Sequence, residues 1–357
     1  MTRGASSRDL VVDIVINNHD YGAYVCDAVE SARNQTHPHV NVIVVDDGST
    51  DHSRRRLAAY EGAIELVLKG NGGQASALNA GLELCRGNIV IFLDADDTLK
   101  PDAATRVAAA FAAEEALVKV QFQMDVIDAD GKPTGERKPA SHLPMPNGDL
   151  RRAELSFPFD IAWLPTSGNA FRTTALRRIF PIPERDYPFC GADWYLVHLT
   201  PLLGRVASLE EVCASYRVHG ENSYEPQAPR LDLSRIRSTI TYAGATTPAL
   251  ARLADELGEE RPERILSVSD LANRLVSRKL EPARHPIGGD SSPRLLAYGL
   301  RAAHRRFDVS WPMRLLFAAW FLAAAISPRP LTRRLGELFL FPERRASINR
   351  ILARLHA

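Results

Sequence analysis

The sequence predicts an α/β protein: a doubly wound, mostly parallel central sheet with flanking helices, followed by a helical C-terminal extension. Three observations carry that expectation. Short apolar runs rich in β-branched residues recur through the first part of the chain, helical patterns separate them, and the composition turns helical and Arg-rich after Gly220. Strands buried on both faces of a parallel sheet read as unbroken apolar runs, whereas half-exposed strands alternate.

Leu10–Ile16 (LVVDIVI) and Val40–Val45 (VNVIVV) are such runs, and Ile64–Leu68 and Ile89–Leu93 match them. Helical patterns fall at roughly 21–35, 51–61, 74–86 and 102–116. This βαβα order places ligands at the carboxyl ends of the strands. Val118–Ile127 alternates in character and runs into Asp128–Gly131, a hairpin-type turn. A Pro-rich loop at 132–165 is positioned to cover a cleft. A strand-to-helix unit (SGNAFRTTALRRI), a helix beginning near Asp193 and a last strand at Val212–Val218 follow. Pro226–Pro229 reads as a linker and His285–Pro293 as a second break, which gives a first domain at 1–225 and a helical, Arg-rich region at 226–357. No internal repeat is visible.

The 357 residues are 45% hydrophobic and 24% charged, which excludes disordered and fibrous classes. Cys26, Cys85, Cys190 and Cys213 are far apart and form no CxxC pair. Neither a disulfide framework nor a zinc site is expected, and reduced thiols in the cytoplasm are the default. No apolar run precedes the first strand, so no signal peptide is expected. The net charge of +1 conceals an asymmetry. Residues from 301 onward carry 11 Arg, no Lys and 3 acids, while the preceding 300 carry 33 basic and 40 acidic residues. A basic tail calls for an anionic partner. Its arginines alternate with Leu, Phe and Trp, which fits a membrane surface better than nucleic acid.

Two acidic clusters each follow an apolar strand: Asp46-Asp47-Gly48-Ser49 and Asp94-Ala95-Asp96-Asp97. Carboxylates gathered at one sheet edge repel unless a cation or hydrogen-bond donors compensate. One reading is helix capping, which suits Asp51 and Asp97. The other is a hard cation shared with phosphate, since Mg²⁺ or Mn²⁺ typically uses one or two protein carboxylates plus substrate oxygens. The alternation of Asp94 and Asp96 favours the second. Asn71–Gly81 is a Gly-rich turn feeding a helix, whose free N–H groups can receive a phosphate or a hydroxyl. No Gly-Lys-Ser/Thr follows, so it is not a Walker loop.

The strings VIVVDDGSTD, NGGQASALNAGL, FLDADD, ADWYL and YRVHGENS occur in the order seen in family 2 glycosyltransferases, and the chain resembles that family over roughly residues 8–225. The resemblance implies a GT-A-type (Rossmann-like) domain that moves a sugar, with inversion, from a nucleoside-diphosphate sugar. It further implies contacts to the donor from Asn17, Asp46, Asp47, Gly73, Asn79, Asp94 and Asp96. Asp94 is the first acid of the family's DxD motif, and Asp96 is the ligand to Mn²⁺ or Mg²⁺. Leu78 stands where many relatives have an arginine, which puts diphosphate contacts from that helix in doubt.

Asp193 matches the acid proposed as catalytic base. A single displacement needs a carboxylate to take the acceptor hydroxyl's proton. Ala192 replaces the flanking acid of the family's Glu-Asp pair, and an ordinary N-cap is the other reading of Asp193. His219 is open between a second metal ligand and a structural histidine. Arg217 is open between offsetting diphosphate charge and forming an ordinary ion pair. Gly168-Asn169 resembles the strand below the acceptor pocket. Trp163 and Trp194 are either sugar platforms or core. A UDP-sugar is the first donor to consider. The acceptor is expected to be lipid-linked or a polysaccharide of the cell envelope, and nucleic acid is not expected. The competing classes are a nucleotide-sugar-binding protein without transfer activity and a nucleotidyltransferase.

Trp311–Ser327 is the most apolar stretch, but its charge-free part, Leu315–Ser327, is 13 residues, short of the roughly 20 needed to span a bilayer. It is either a buried helix or an interfacial one. Docking through 301–357 would place the protein peripherally at the cytoplasmic membrane face.

Overall fold

The computed structural model describes residues 6–140, 145–220, 222 and 231–340. It separates into two compact units. The first comprises residues 1–151 and 162–223, and the second residues 152–161 and 224–357.

Among the described residues, the first unit is built on one nine-stranded sheet. Its strands are β1 (Val12–Asn18), β2 (Val40–Asp47), β3 (Glu65–Lys69), β4 (Ile89–Asp94), β5 (Thr98–Leu99), β6 (Leu117–Ile127), β7 (Pro133–Lys138), β8 (Asn169–Arg172) and β9 (Arg205–Arg217). They lie in the order β3-β2-β1-β4-β8-β6-β9-β5, with β7 paired to β6. β3, β2, β1 and β4 are mutually parallel, as their unbroken apolar runs predict. β8 runs antiparallel between β4 and β6, while β6 and β9 are parallel. Helices α1 (Val25–Arg33), α2 (Ser53–Leu57), α3 (Gly73–Leu84), α4 (Ala103–Ala113), α5 (Arg151–Ser156), α6 (Thr173–Ile179) and α7 (Ala192–Leu199) follow in chain order. Ile14, Ile16, Val44, Ile91, Val120 and Phe122 form a continuous core with Val25, Val29, Val107 and Phe111. At the amino edge the buried Asp13 carboxylate accepts the Arg86 and Gly87 N–H groups and the Asn41 amide, so it is fully compensated.

The region at 132–165 is not the continuous loop expected from its prolines. It contains β7 and α5, and residues 152–161 belong to the second unit. β9 begins before Val212, at Arg205, because it takes up a long parallel register with β6. The linker expected at Pro226–Pro229 lies outside the described residues.

The second unit is helical: α8 (Leu233–Leu257), α9 (Val268–Leu280), α10 (Ser292–Arg305), α11 (Trp311–Ile326) and α12 (Arg329–Leu340). Leu271, Leu275, Leu295, Ala302, Phe321 and Ala324 make its core. No helix among the described residues is long and apolar enough to cross a membrane. Asp160, from the 152–161 excursion, anchors this unit. Its carboxylate accepts the Val268 and Ser269 N–H groups at 2.8 and 2.7 Å, satisfying orphan donors at the start of α9. It also pairs with the buried Arg306 guanidinium at 3.1 Å. Asp160→Ala should therefore destabilise this unit by about 3 kcal/mol, the usual cost of stranding a buried partner, read as a lowered urea midpoint of the helical signal.

Candidate functional site

Strand register decides what surrounds the acidic clusters. At the carboxyl edge Asn17 faces Asp94, Asn18 faces Asp46, and Asp47 faces Lys69. Each carboxylate thus meets a donor from the neighbouring strand or strand end. Asn17 Nδ2 donates to Asp94 Oδ1 at 2.9 Å, and Asn18 Nδ2 to Asp46 Oδ2 at 2.9 Å. Lys69 pairs with Asp47.

Asp46 also accepts from Ser49 N at 3.1 Å and from Arg54 Nε at 2.7 Å. Burial pushes its pKa up, but the Ser49, Arg54 and Asn18 donors outweigh that and hold the carboxyl below its ordinary value. The Asp47 carboxylate accepts the Gly72 and Gly73 N–H groups, the latter at 2.7 Å, and so pins the Gly-rich turn at the start of α3. Gly73 has φ +84°, and a Cβ there would lie 2.1 Å from the Pro188 carbonyl oxygen. Only glycine lets the turn approach the 183–191 segment so closely.

The second cluster is less well compensated. Asp94 Oδ1 accepts from Asn17 and, at 3.3 Å, from Gln74 Nε2, while the Asp94 N–H donates to Ser167 Oγ at 3.0 Å. Burial and the neighbouring Asp96 push the Asp94 pKa up to about 7. Asp97 is buried, and burial raises it well above the usual carboxylate range. The capping expected of Asp97 is not what forms. Its Oδ1 accepts the Arg217 N–H at 2.9 Å, tying the cluster to β9, and Asp102 occupies the N-cap of α4. Asp51 accepts the Ser53 N–H at the start of α2, although His52 holds the N-cap position.

Asp96 meets the end of β9. His219 Nε2 lies 3.0 Å from Asp96 Oδ2, with Asn222 Nδ2 at 3.4 Å. Tyr21 and Tyr24 pack on the His219 ring, at 5.6 and 4.9 Å between centroids. Asn222 also accepts the His219 N–H and donates to the Arg217 carbonyl, which fixes the turn that presents the imidazole. Arg217 is a buried anchor. Its guanidinium binds Asp27, the Asp96 carbonyl and the Ala129 carbonyl, and lies over the Tyr24 ring. The sequence reading of a surface ion pair is met only in part: Arg217 pairs with Asp27, but its side chain is buried.

Asp193 lies in the first turn of α7. It is not the N-cap expected on the capping reading, because Gly191 takes that position with φ +86°. Its carboxylate accepts the Trp194 N–H at 3.0 Å. Burial pushes the Asp193 pKa up to about 6, with the Trp194 N–H, His198 and Lys119 opposing the rise. Asp193 in turn contributes to the raised pKa of Asp94, so base candidate and DxD acid share one electrostatic environment.

Asn79 is turned to the 182–184 loop: it donates to the Ile182 carbonyl and accepts the Ile182 N–H at 2.8 Å. The Asn169 amide donates to the Leu164 and Pro165 carbonyls and holds the chain before β8. Trp163 lies under the buried Lys119, whose Nζ is 3.4 Å from the ring centroid, and Trp194 packs on His198. Among the described residues no three of His, Cys, Asp and Glu converge as a metal site. Asp96 with His219 offers a carboxylate oxygen and an imidazole nitrogen. That set suits a divalent cation completed by substrate phosphates rather than a closed protein cage.

Sequence reasoning passed over Gln74, which the structure makes the connector of the site. Its Nε2 reaches Asp94 Oδ1 and, at 3.1 Å, Thr166 Oγ1, and its Oε1 accepts the Ala192 N–H at 3.1 Å. Asn18, Ser167, Lys119 and Asn222 were missed too. Asn18 and Asn222 lay in plain view beside singled-out residues, whereas Ser167 and Lys119 needed the fold. A cavity of about 430 Å³ lined by Asp13, Arg33 and Arg86 opens at the opposite, amino edge of the strands, away from this constellation.

Residues 13–180 match the family model described as Glycosyl transferase family 2. An uncharacterized glycosyltransferase of Nostoc sp. is 33% identical over 217 residues, covering 60% of this chain and 66% of the relative. A putative teichuronic acid biosynthesis glycosyltransferase, TuaG of Bacillus subtilis, is 40% identical over 96 residues, covering 26% of this chain and 38% of that one. The chain thus spans less than two thirds of these curated relatives. Among solved structures, S. aureus TarS 1-349 in complex with UDP superposes with a TM-score of 0.52 at 16% identity, over 92% of this chain and 91% of that one. That likeness extends the fold agreement beyond the matched segment.

Gln74→Leu keeps the side chain's bulk but strands the Ala192 N–H and withdraws a donor from Asp94. Unfolding in urea should show a loss on the order of 1–3 kcal/mol; an unchanged midpoint would remove Gln74 as connector.

Proposed function

We propose that this chain, which belongs to glycosyl transferase family 2, transfers a sugar from a nucleoside-diphosphate sugar to a hydroxyl acceptor with inversion at the anomeric carbon. The observation that carries this reading is the bridge by which Gln74 donates to Asp94 and accepts from Ala192, the residue before Asp193, with burial raising Asp193 to about 6. Asp193 is then the base. It takes the acceptor proton as the acceptor oxygen bonds to the anomeric carbon, and the diphosphate departs with the electrons of the broken C–O bond. A pKa just below neutral suits that role, since the group is ionised at pH 7 yet retains proton affinity.

The resemblance assigns Asp46 and Asp47 to the donor's base and ribose, and their own hydrogen bonds fix their orientation. Asn17 holds the Asp94 carboxylate in place, and Gly73 allows the turn to approach the donor's phosphates. Mn²⁺ or Mg²⁺ at Asp96 and His219 would offset the charge building on the leaving diphosphate. Asn79 and Arg217 act through the loops they hold. A UDP-sugar is the first donor to test, because TarS, which shares the fold, is seen in complex with UDP and with UDP-GlcNAc. The name of TuaG, and the chondroitin synthase of Escherichia coli at 36% identity over 124 residues, favour a cell-envelope or polysaccharide acceptor, lipid-linked or free.

Asp193→Asn should lower transfer by about 10²–10⁴-fold with donor binding retained. Transfer unchanged in that variant would remove Asp193 as base, and a wild type that binds donors but never transfers would favour the binding-only class. The wild-type rate should rise with pH through about 6 and level off above it, because the base must be ionised; the Asn variant should lack that limb.

Calorimetric titration of UDP should show binding strengthened by Mn²⁺, and Asp96→Asn should lose at least about tenfold of that gain. Equal UDP affinity with and without the ion would count against a metal at Asp96.

A further inference from the structure

We propose that the outward face of α11, together with the arginines opening α12, docks on an anionic phospholipid surface. This inference does not rest on the transfer reading. An apolar helix has no period from which burial can be read, and the packing of the second unit supplies what the sequence lacks. One side of α11 enters the core: Phe321 and Ala324 are buried, with Phe317 and Trp320 packed against the same cluster. The approach to α10 is close, since a Cβ on Gly299 would lie 2.3 Å from the Phe321 ring.

Among the described residues, nothing covers the other side of α11. Trp311, Leu315, Leu316, Leu322 and Ile326 are exposed, Trp311 at 67% and Ile326 at 84%. Every exposed residue of α11 is apolar. At 3.6 residues per turn these positions fall within an arc of about 140°, one coherent stripe and not scattered single side chains. Exposed apolar stripes of this kind mark interaction surfaces.

Charge selects the occupant. The stripe ends at Ile326, and Arg329, Arg333 and Arg334 follow within the next turns. These three arginines line a groove of about 500 Å³ with Leu280, Pro330 and Glu337. Leu331, between Arg329 and Arg333 in the chain, is exposed as well. A protein interface would call for complementary acids on a partner. A bilayer surface supplies phosphates over an apolar layer in one ligand, which matches arginines set beside leucines. Trp311 at the amino end of the stripe is the amphipathic ring favoured at a membrane–water boundary.

The test is sedimentation of the full chain with phosphatidylcholine vesicles, with and without phosphatidylglycerol. The wild type should bind the anionic vesicles and release as salt rises. The double change Leu322→Asp with Ile326→Asp removes two exposed side chains, so Tm should hold while vesicle binding falls at least about tenfold. Arg333→Glu with Arg334→Glu should abolish the preference for phosphatidylglycerol, again by roughly tenfold or more. A wild type indifferent to phosphatidylglycerol, or an aspartate variant that binds equally well, overturns the proposal. So does a wild-type dimer that the aspartate variant splits in the absence of vesicle binding, which would make the stripe a protein interface.

Discussion

Negative charge gathered at the carboxyl edge of a parallel sheet is the constraint on which the first unit turns. Asp46 and Asp47 end β2 and Asp94 ends β4, on either side of β1, with Asp96 and Asp97 just beyond, and bulk water does not reach all of them. The structure treats them unequally. Asp46 and Asp47 are each met by a cationic side chain and further donors, so their negative charge is stabilised and their geometry fixed. Asp94 and Asp97 receive donors too few to offset burial and mutual repulsion, and their pKa values rise. Strand register places Lys69 beside Asp47 and neutral amides beside Asp46 and Asp94; Arg54, from α2, then supplies Asp46 with the cation that Asp94 does not receive.

How far this was legible in the sequence follows from the same distinction. Both acidic clusters stand directly after apolar strands, and a parallel sheet brings strand ends together, so their meeting was readable from order alone. The compensating partners were not. Lys69 and Asn18 owe their roles to cross-strand register, which a single strand's pattern does not encode. Gln74 sat inside a quoted motif, yet its role depends on the 183–191 segment returning against the turn at Gly73. Asp97 and Asp193 misled in one way: acids near helix starts suggest caps, but Asp97 bonds to β9 and Asp193 lies a step inside its helix.

The same limit applies at 132–165. Prolines suggested one long loop, but proline marks only where regular hydrogen bonding stops, not where a segment packs. Phe157 and Asp160 there belong with the helical unit, through a cation–π contact with Arg306 and the start of α9. Composition identified that unit as helical and Arg-rich. It left α11 undecided between core and surface, since a helix apolar on all sides carries no periodic signal.

Gln74 ties the Gly-rich turn, Asp94 and the start of α7 together within the candidate site. A single carboxamide donates to Asp94 and accepts from Ala192, the residue before Asp193. Rotation of that amide to suit one end misplaces the other, because its oxygen and nitrogen are not interchangeable between a carboxylate and an N–H. The Gln74 backbone N–H adds a second tie, to the Phe189 carbonyl at 3.1 Å. Movement of the Gly-rich turn would therefore be carried to the start of α7. Ala192, where the family's pair has an acid, is the residue that makes this tie. Its backbone N–H, not its side chain, joins Asp193 to the rest of the site.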